Sequence, residues 1–215
     1  MTMRHLSLVD QLLCEIDTAI RTLFVPQERS CARETPGQAV KEGVLSTEEK
    51  RHIAGLMRVN HAGEVSAQAL YQGQALTAQL TEVKAQMTEA AAEEVDHLAW
   101  CETRLRELDS QPSLLNPFWY GGSLLLGVLA GLAGDRWSLG FLAETERQVT
   151  NHLATHLEHV PSHDLKTKAI LAQMQADEAD HAAMAAAAGG TELPYLIKKI
   201  MTGVSTLMTK SSYYI

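Results

Sequence analysis

Cysteine is scarce in this chain. Cys14, Cys31 and Cys101 are the only three in 215 residues. They are too far apart for a Cys-x-x-Cys motif and follow no secretory signal, so reduced thiols facing a cytosol are expected. Basic charge is short as well. Eighteen Lys and Arg face 26 Asp and Glu, a formal net charge of -8, which argues against wrapping a phosphate backbone; no nucleic acid partner is expected. Long apolar runs are missing, with one near case. Phe118 to Gly134 is uncharged over 17 residues and includes Leu124, Leu125 and Leu126, whereas a perpendicular membrane crossing takes about 20. Two readings stay open for it: a buried helix, or a helix partly inserted into one leaflet.

Against these absences stands one repeated motif. Glu-x-x-His occurs as Glu94-Val95-Asp96-His97 and as Glu178-Ala179-Asp180-His181, with Glu64 30 residues before the first copy and Glu146 32 before the second. Residues three apart on a helix share a face one turn apart, so each motif offers an oxygen and a nitrogen to one ion. Two lone glutamates and two Glu-x-x-His motifs are the donor set of ferritin-like di-iron and di-manganese bundles. The expected fold is therefore all-α: a ferritin-like four-helix bundle with an N-terminal amphipathic helix and additional membrane-facing apolar or amphipathic helices.

Periodicity organises the chain as one domain, 1–215. Residues 1–45 read as a helix with apolar positions Leu6, Val9, Leu13, Ile16, Ile20 and Leu23, then a surface linker punctuated by Pro26, Pro36, Gly37 and Gly43. The first helix pair, 46–110, opens on a capping box formed by Ser46 and Glu49. Its inward stripes are Ile53, Met57, Asn60, Glu64, Ala67, Tyr71, and then Val83, Met87, Ala90, Glu94, His97, Cys101, Leu105, Leu108. After the apolar segment 118–134, the second pair, 136–188, gives Leu139, Leu142, Glu146, Val149, Leu153, His156, Val160, and then Leu171, Met174, Glu178, His181, Ala185. Segment 191–215 is amphipathic. Glu144 lies two residues from Glu146, about 200° around the helix, and so falls off the stripe. Offsets of 82 residues from Glu64 to Glu146 and 84 from Glu94 to Glu178 fit a repeated helix pair.

Ionised carboxylates cannot share a dry core unless paired or bound to a cation. The plain alternative is a set of solvated helix faces, as expected for Glu48, Glu82, Glu102 and Glu107. Two motifs in register with two matching glutamates count against that for the six. Carboxylate oxygens with one imidazole per ion suit iron or manganese, iron first, better than structural zinc. Metal-bound imidazoles usually donate their other N-H to a carboxylate or carbonyl. Asp96 and Asp180 are the candidates, each reaching the histidine of the opposite helix, with ordinary surface charge as the plain alternative; His61, His152 and His156 read first as hydrogen-bonded core or surface histidines, an outer-partner role being the alternative for His152 and His156.

Several stretches together resemble one family. Arg58-Val59-Asn60-His61-Ala62-Gly63-Glu64, Glu93-Glu94-Val95-Asp96-His97-Leu98, Leu115-Asn116-Pro117-Phe118-Trp119-Tyr120-Gly121-Gly122, Glu144-Thr145-Glu146-Arg147-Gln148-Val149 and Asp177-Glu178-Ala179-Asp180-His181 are similar to the demethoxyubiquinone (3-demethoxyubiquinol) hydroxylases of ubiquinone biosynthesis. Asp17 to Leu23 resembles the bacterial branch. The resemblance implies that Glu64, Glu94, His97, Glu146, Glu178 and His181 bind two iron ions, and assigns His152 more weakly. It implies a peripheral protein on the cytoplasmic side of the cell inner membrane, touching membrane lipid and hydroxylating a prenylated quinol with O2. NADH, a reductase and the quinol itself stay open as reductants, as do a homo-oligomer and a biosynthetic complex. The rival reading is a ferritin-like iron-storage or iron-detoxifying protein without an organic substrate, which needs no apolar platform such as 118–134.

Overall fold

In a computed structural model, residues 7–24, 29–41 and 43–215 are described; Leu6 and Pro26 of the sequence reading lie outside them. Among the described residues there are seven α-helices and no strand: α1 Leu8–Leu23, α2 Thr47–Thr77, α3 Thr81–Glu107, α4 Asn116–Leu132, α5 Asp135–His159, α6 Leu165–Ala187 and α7 Tyr195–Ser212. Ser46 caps α2 in a reciprocal box with Glu49, and Ser7 and Asp10 cap α1 in the same way. The α2–α3 and α5–α6 hairpins form a ferritin-like bundle, and α4 is the long connection between its halves, running along α2.

The core has two apolar layers with a polar one between. At one end Ile53 and Met57 of α2 meet Trp100, Cys101 and Leu105 of α3, Leu153 of α5, and Ile170, Leu171 and Met174 of α6. At the other, Tyr71 meets Val83, Met87 and Ala90 of α3, Leu139 and Leu142 of α5, and Ala185 of α6. On every bundle helix the glutamates and histidines fall between these two sets. Hydrophobic burial thus holds the four helices together above and below a layer that gains nothing from burial itself.

Helices α2 and α4 cross at backbone contact. A Cβ on Gly127 would collide with the carbonyl of Leu70, and one on Gly73 would meet the backbone of Leu124 and Val128. Backbone cannot yield as a side chain can, so Gly127→Val should cost about 3 kcal/mol or more, read as a lowered urea midpoint. Gly203→Ala on α7, where an added Cβ meets nothing within 4 Å, should leave that midpoint nearly unchanged.

The apolar segment is neither buried nor fully exposed. Trp119, Tyr120, Gly127 and Gly131 pack inward, whereas Phe118, Leu125, Leu126, Leu129 and Leu132 face out. Helix α1 is turned the same way. Its Glu15 side chain accepts from Gln72 of α2, Thr22 is buried, and Val9, Leu12, Leu13, Ile16 and Ile20 are exposed. Tyr195, Leu196, Ile200, Val204 and Leu207 are the exposed apolar residues of α7. No described helix is long and apolar enough to cross a membrane.

The expected surface linker is partly a strap. Arg29 bonds Glu102 of α3, and Arg33 bonds both Asp96 of α3 and Asp177 of α6. Glu102 is consequently no solvated charge. It is buried, and its Oε1 meets Arg29 Nη2 at 2.6 Å and His61 Nε2 at 3.3 Å. Burial alone would raise its pKa, but the His61 and Arg29 contacts hold it below the ordinary value. Glu107 also has partners, Arg104 and Lys166.

Candidate metal centre

One donor atom from each of Glu64, Glu94, His97 and Glu178 lies within 4.8 Å of the others, and all four residues are buried. His97 Nδ1 stands 2.9 Å from Glu94 Oε2, 3.2 Å from Glu178 Oε1 and 3.6 Å from Glu64 Oε2. His181 Nδ1 stands 3.3 Å from the other oxygen of each of the same two glutamates, Glu94 Oε1 and Glu178 Oε2. Glu94 and Glu178 therefore each span both imidazoles. Glu146, 1% exposed, accepts a 2.6 Å hydrogen bond from Tyr71 Oη and interacts with Glu178.

Electrostatics show that this set does not hold four ionised carboxylates and two neutral imidazoles by itself. Burial, reinforced by Glu94 and Glu178, drives Glu64 well above the carboxylate range; burial and Glu178 do the same to Glu146. Burial would raise Glu94 too, yet His97 and His181 hold it low. Burial opposes charge on the histidines, but the carboxylates around them reverse that, lifting His97 well above its usual value and His181 to about 12. Glu94 Oε1 is buried without a hydrogen bond although His181 Nδ1 is near. Four carboxylates and two imidazoles converging at contact distance in a buried layer, with Glu94 Oε1 left unbonded, fit a metal ion.

The outer partners differ from expectation. His97 Nε2 meets Asp177 Oδ2 of α6 at 2.9 Å, and His181 Nε2 meets Glu93 Oε2 of α3 at 2.6 Å. The crossing between helices is as expected, but Asp96 and Asp180 do not make it. At 100° per residue, Glu93 and Asp177 sit about 70° from the centre of their donor stripes, on its flank, whereas Asp96 and Asp180 sit about 130° away. That arithmetic was the available signal. Asp96 is instead bound by the strap, through Ala32 N and Arg33, and Asp180 is exposed.

His152 is six residues past Glu146, about 240° around α5, and its ring lies 3.9 Å from that of His156. Burial pushes these two down to about 4 and about 3. His61 sits in the core between Glu102 and Asn116, and burial lowers its pKa. Glu144 points elsewhere than Glu146, to Arg147 at 2.6 Å and Gln148 at 2.7 Å. Glu144→Ala should therefore keep its full metal content by elemental analysis. Loss of an ion there, with retention in Glu146→Ala, would reverse the assignment of the two glutamates.

A cavity of about 110 Å³ reaches the His181 end, lined by Tyr71, Met87, Glu93, Leu142, His181 and Met184 among others. A family model described as "Ubiquinone biosynthesis protein COQ7" matches residues 51–212. A 3-demethoxyubiquinol 3-hydroxylase from Legionella pneumophila is 65% identical over 213 residues, covering 99% of this chain and 100% of that protein. The protein of the same name from Acinetobacter baumannii is 56% identical over the same coverage.

Proposed function

The chain belongs to the ubiquinone biosynthesis protein COQ7 family, and from that membership we propose that its buried donors hold two iron ions in a monooxygenase that hydroxylates the ring of a prenylated 3-demethoxyubiquinol with O2. The observation that carries this reading is the double span of Glu94 and Glu178 across His97 and His181. Glu64 and His97 would complete one iron position, Glu146 and His181 the other. Four carboxylates and two neutral imidazoles balance two divalent cations without residual charge in the core. Iron storage without an organic substrate is set aside by the family.

When bound, the iron pair supplies the centre at which O2 is reduced, one oxygen atom going to the ring and the other to water. The chain's own groups do the rest. Tyr71 fixes Glu146 through its O-H, Asp177 and Glu93 orient the two imidazoles, and the apolar layers exclude bulk water. The cavity beside His181 takes O2 or the edge of a ring; a whole head group requires the flexible side chains of Met87 and Met184 to move aside. Each turnover needs two electrons and two protons, from the quinol itself, NADH or a reductase.

A prenyl tail needs lipid nearby. The outward apolar faces of α1, α4 and α7, with the exposed Lys199 and Lys210 on α7, suit peripheral attachment to the cytoplasmic side of the inner membrane. Leu125→Asp with Leu129→Asp should reduce recovery with anionic vesicles severalfold while iron content holds. Equal recovery would remove the membrane assignment of α4.

The function itself is tested by incubating iron-loaded protein with a short-tailed 3-demethoxyubiquinol, a reductant and ¹⁸O2. A hydroxylated product carrying one labelled oxygen is expected. Full iron loading with no such product from any of the three reductants would overturn the proposal.

A further inference from the structure

The two imidazoles are matched in sequence but not in surroundings. His97 Nε2 touches Asp177 Oδ2 at 2.9 Å, and the same oxygen accepts from Arg33 Nη1 at 2.8 Å. Arg33 Nε bonds Asp96 Oδ2 at 2.9 Å, so one guanidinium bridges α3 and α6. Its Cζ lies 4.8 Å from the Trp100 ring centre, and Trp100 in turn lies 5.2 Å from the His97 ring. Gln173 holds the other oxygen of Asp177 at 2.9 Å. Asp177 is thus gripped on both oxygens. Glu93, the partner of His181, has a side chain 45% exposed and borders the cavity; among the described residues no cation lies within ion-pair distance of it apart from His181.

Arg33 belongs to the strap, ahead of the stretch 51–212 that the family model covers. We propose that Arg33 is a positioning residue: bridging Asp96 and Asp177, it fixes the orientation of His97 and makes the iron position at His97 inequivalent to the one at His181. The inference rests on the two-iron reading. A planar guanidinium held at two carboxylates and stacked on an indole has little freedom, so it sets where the Asp177 oxygen stands. The braced end stays rigid while the His181 end, beside the cavity, can shift as the substrate arrives.

The test uses full-length protein loaded anaerobically with ⁵⁷Fe(II), read by Mössbauer spectroscopy and by binding titration. Wild type should show two distinct ferrous signals. Arg33→Gln should change one signal only and weaken one of the two binding steps roughly tenfold, the lower end of what loss of an outer partner costs. Arg33→Lys, which keeps the charge but not the fork, should restore part of that affinity. Arg29→Gln loosens the strap at Glu102 without touching Asp177 and should leave both signals as in wild type. Identical spectra and affinities in wild type and Arg33→Gln would overturn the role of Arg33, and an equal change in Arg29→Gln would assign the effect to strap docking instead. A titration in which wild type binds fewer than two irons would contradict the iron reading, whereas two bound irons with a single ferrous signal would overturn the inequivalence alone.

Discussion

Glu178→Ala should lose its iron and its hydroxylase activity together. Glu178 is 3.2 Å from His97 Nδ1 and 3.3 Å from His181 Nδ1 through different oxygens, so on the proposed two-iron reading its removal takes a donor from both positions at once. Residues that merely orient a ligand cost about 10–100-fold in affinity or activity; a ligand shared by two ions should exceed the top of that range. The fold should survive, because the apolar layers on either side are untouched and truncation relieves the crowding of buried carboxylates. Elemental analysis and circular dichroism on the same sample separate the outcomes. A folded variant that keeps both ions would remove Glu178 from the ligand set.

The second large effect is on stability and leaves the metal alone. Arg104, 1% exposed, donates to Thr167 Oγ1 at 2.8 Å, to Asp164 Oδ1 at 3.0 Å and to Glu107 Oε2 at 2.7 Å. Asp164, equally buried, caps α6 through Thr167 N. Arg104→Ala strands that carboxylate beneath the surface, and breaking a buried pair costs about 3–5 kcal/mol. For a chain of this size that is a fall in Tm of roughly 10 °C. Iron content should not change, since Arg104 lies seven residues beyond His97, about 10 Å along α3. A Tm unchanged in iron-loaded protein would show that water or a rearranged Asp164 compensates for the lost guanidinium.

What the sequence made legible was whatever a helical period of 3.6 imposes. Ile53, Met57, Glu64 and Tyr71, or Met174, Glu178, His181 and Ala185, recur at spacings of three, four or seven residues because one face of each helix looks inward, and all are buried. The same period separates Glu146 from Glu144. Its blind side is what covers an element from elsewhere in the chain. Glu102 and Asp96 sit on faces that a helical wheel sends to solvent, yet the strap from residue 29 onward brings Arg29 and Arg33 onto them. No local pattern announces a partner 73 residues away. The stripe on α1 was visible in the same sense. Periodicity shows that Val9, Leu13, Ile16 and Ile20 share a face, but not that this face turns outward while Glu15 and Thr22 turn in.

Glu93 and Asp177 fall between these cases. Their positions beside Glu94 and Glu178 put them on the flank of the donor stripe, where a side chain can cross to the facing helix; Asp96 and Asp180 attract attention only by adjoining the histidines. Counting angle rather than adjacency selects the right pair.

On the proposed reading, two ions share one buried donor set. It is tested most directly by diffraction from iron-loaded crystals at the iron absorption edge. Two anomalous peaks about 3.5–4 Å apart, one beside Glu64 and His97, one beside Glu146 and His181, with Glu94 and Glu178 between them, are the expected result. A single peak, or peaks outside this layer, would contradict it.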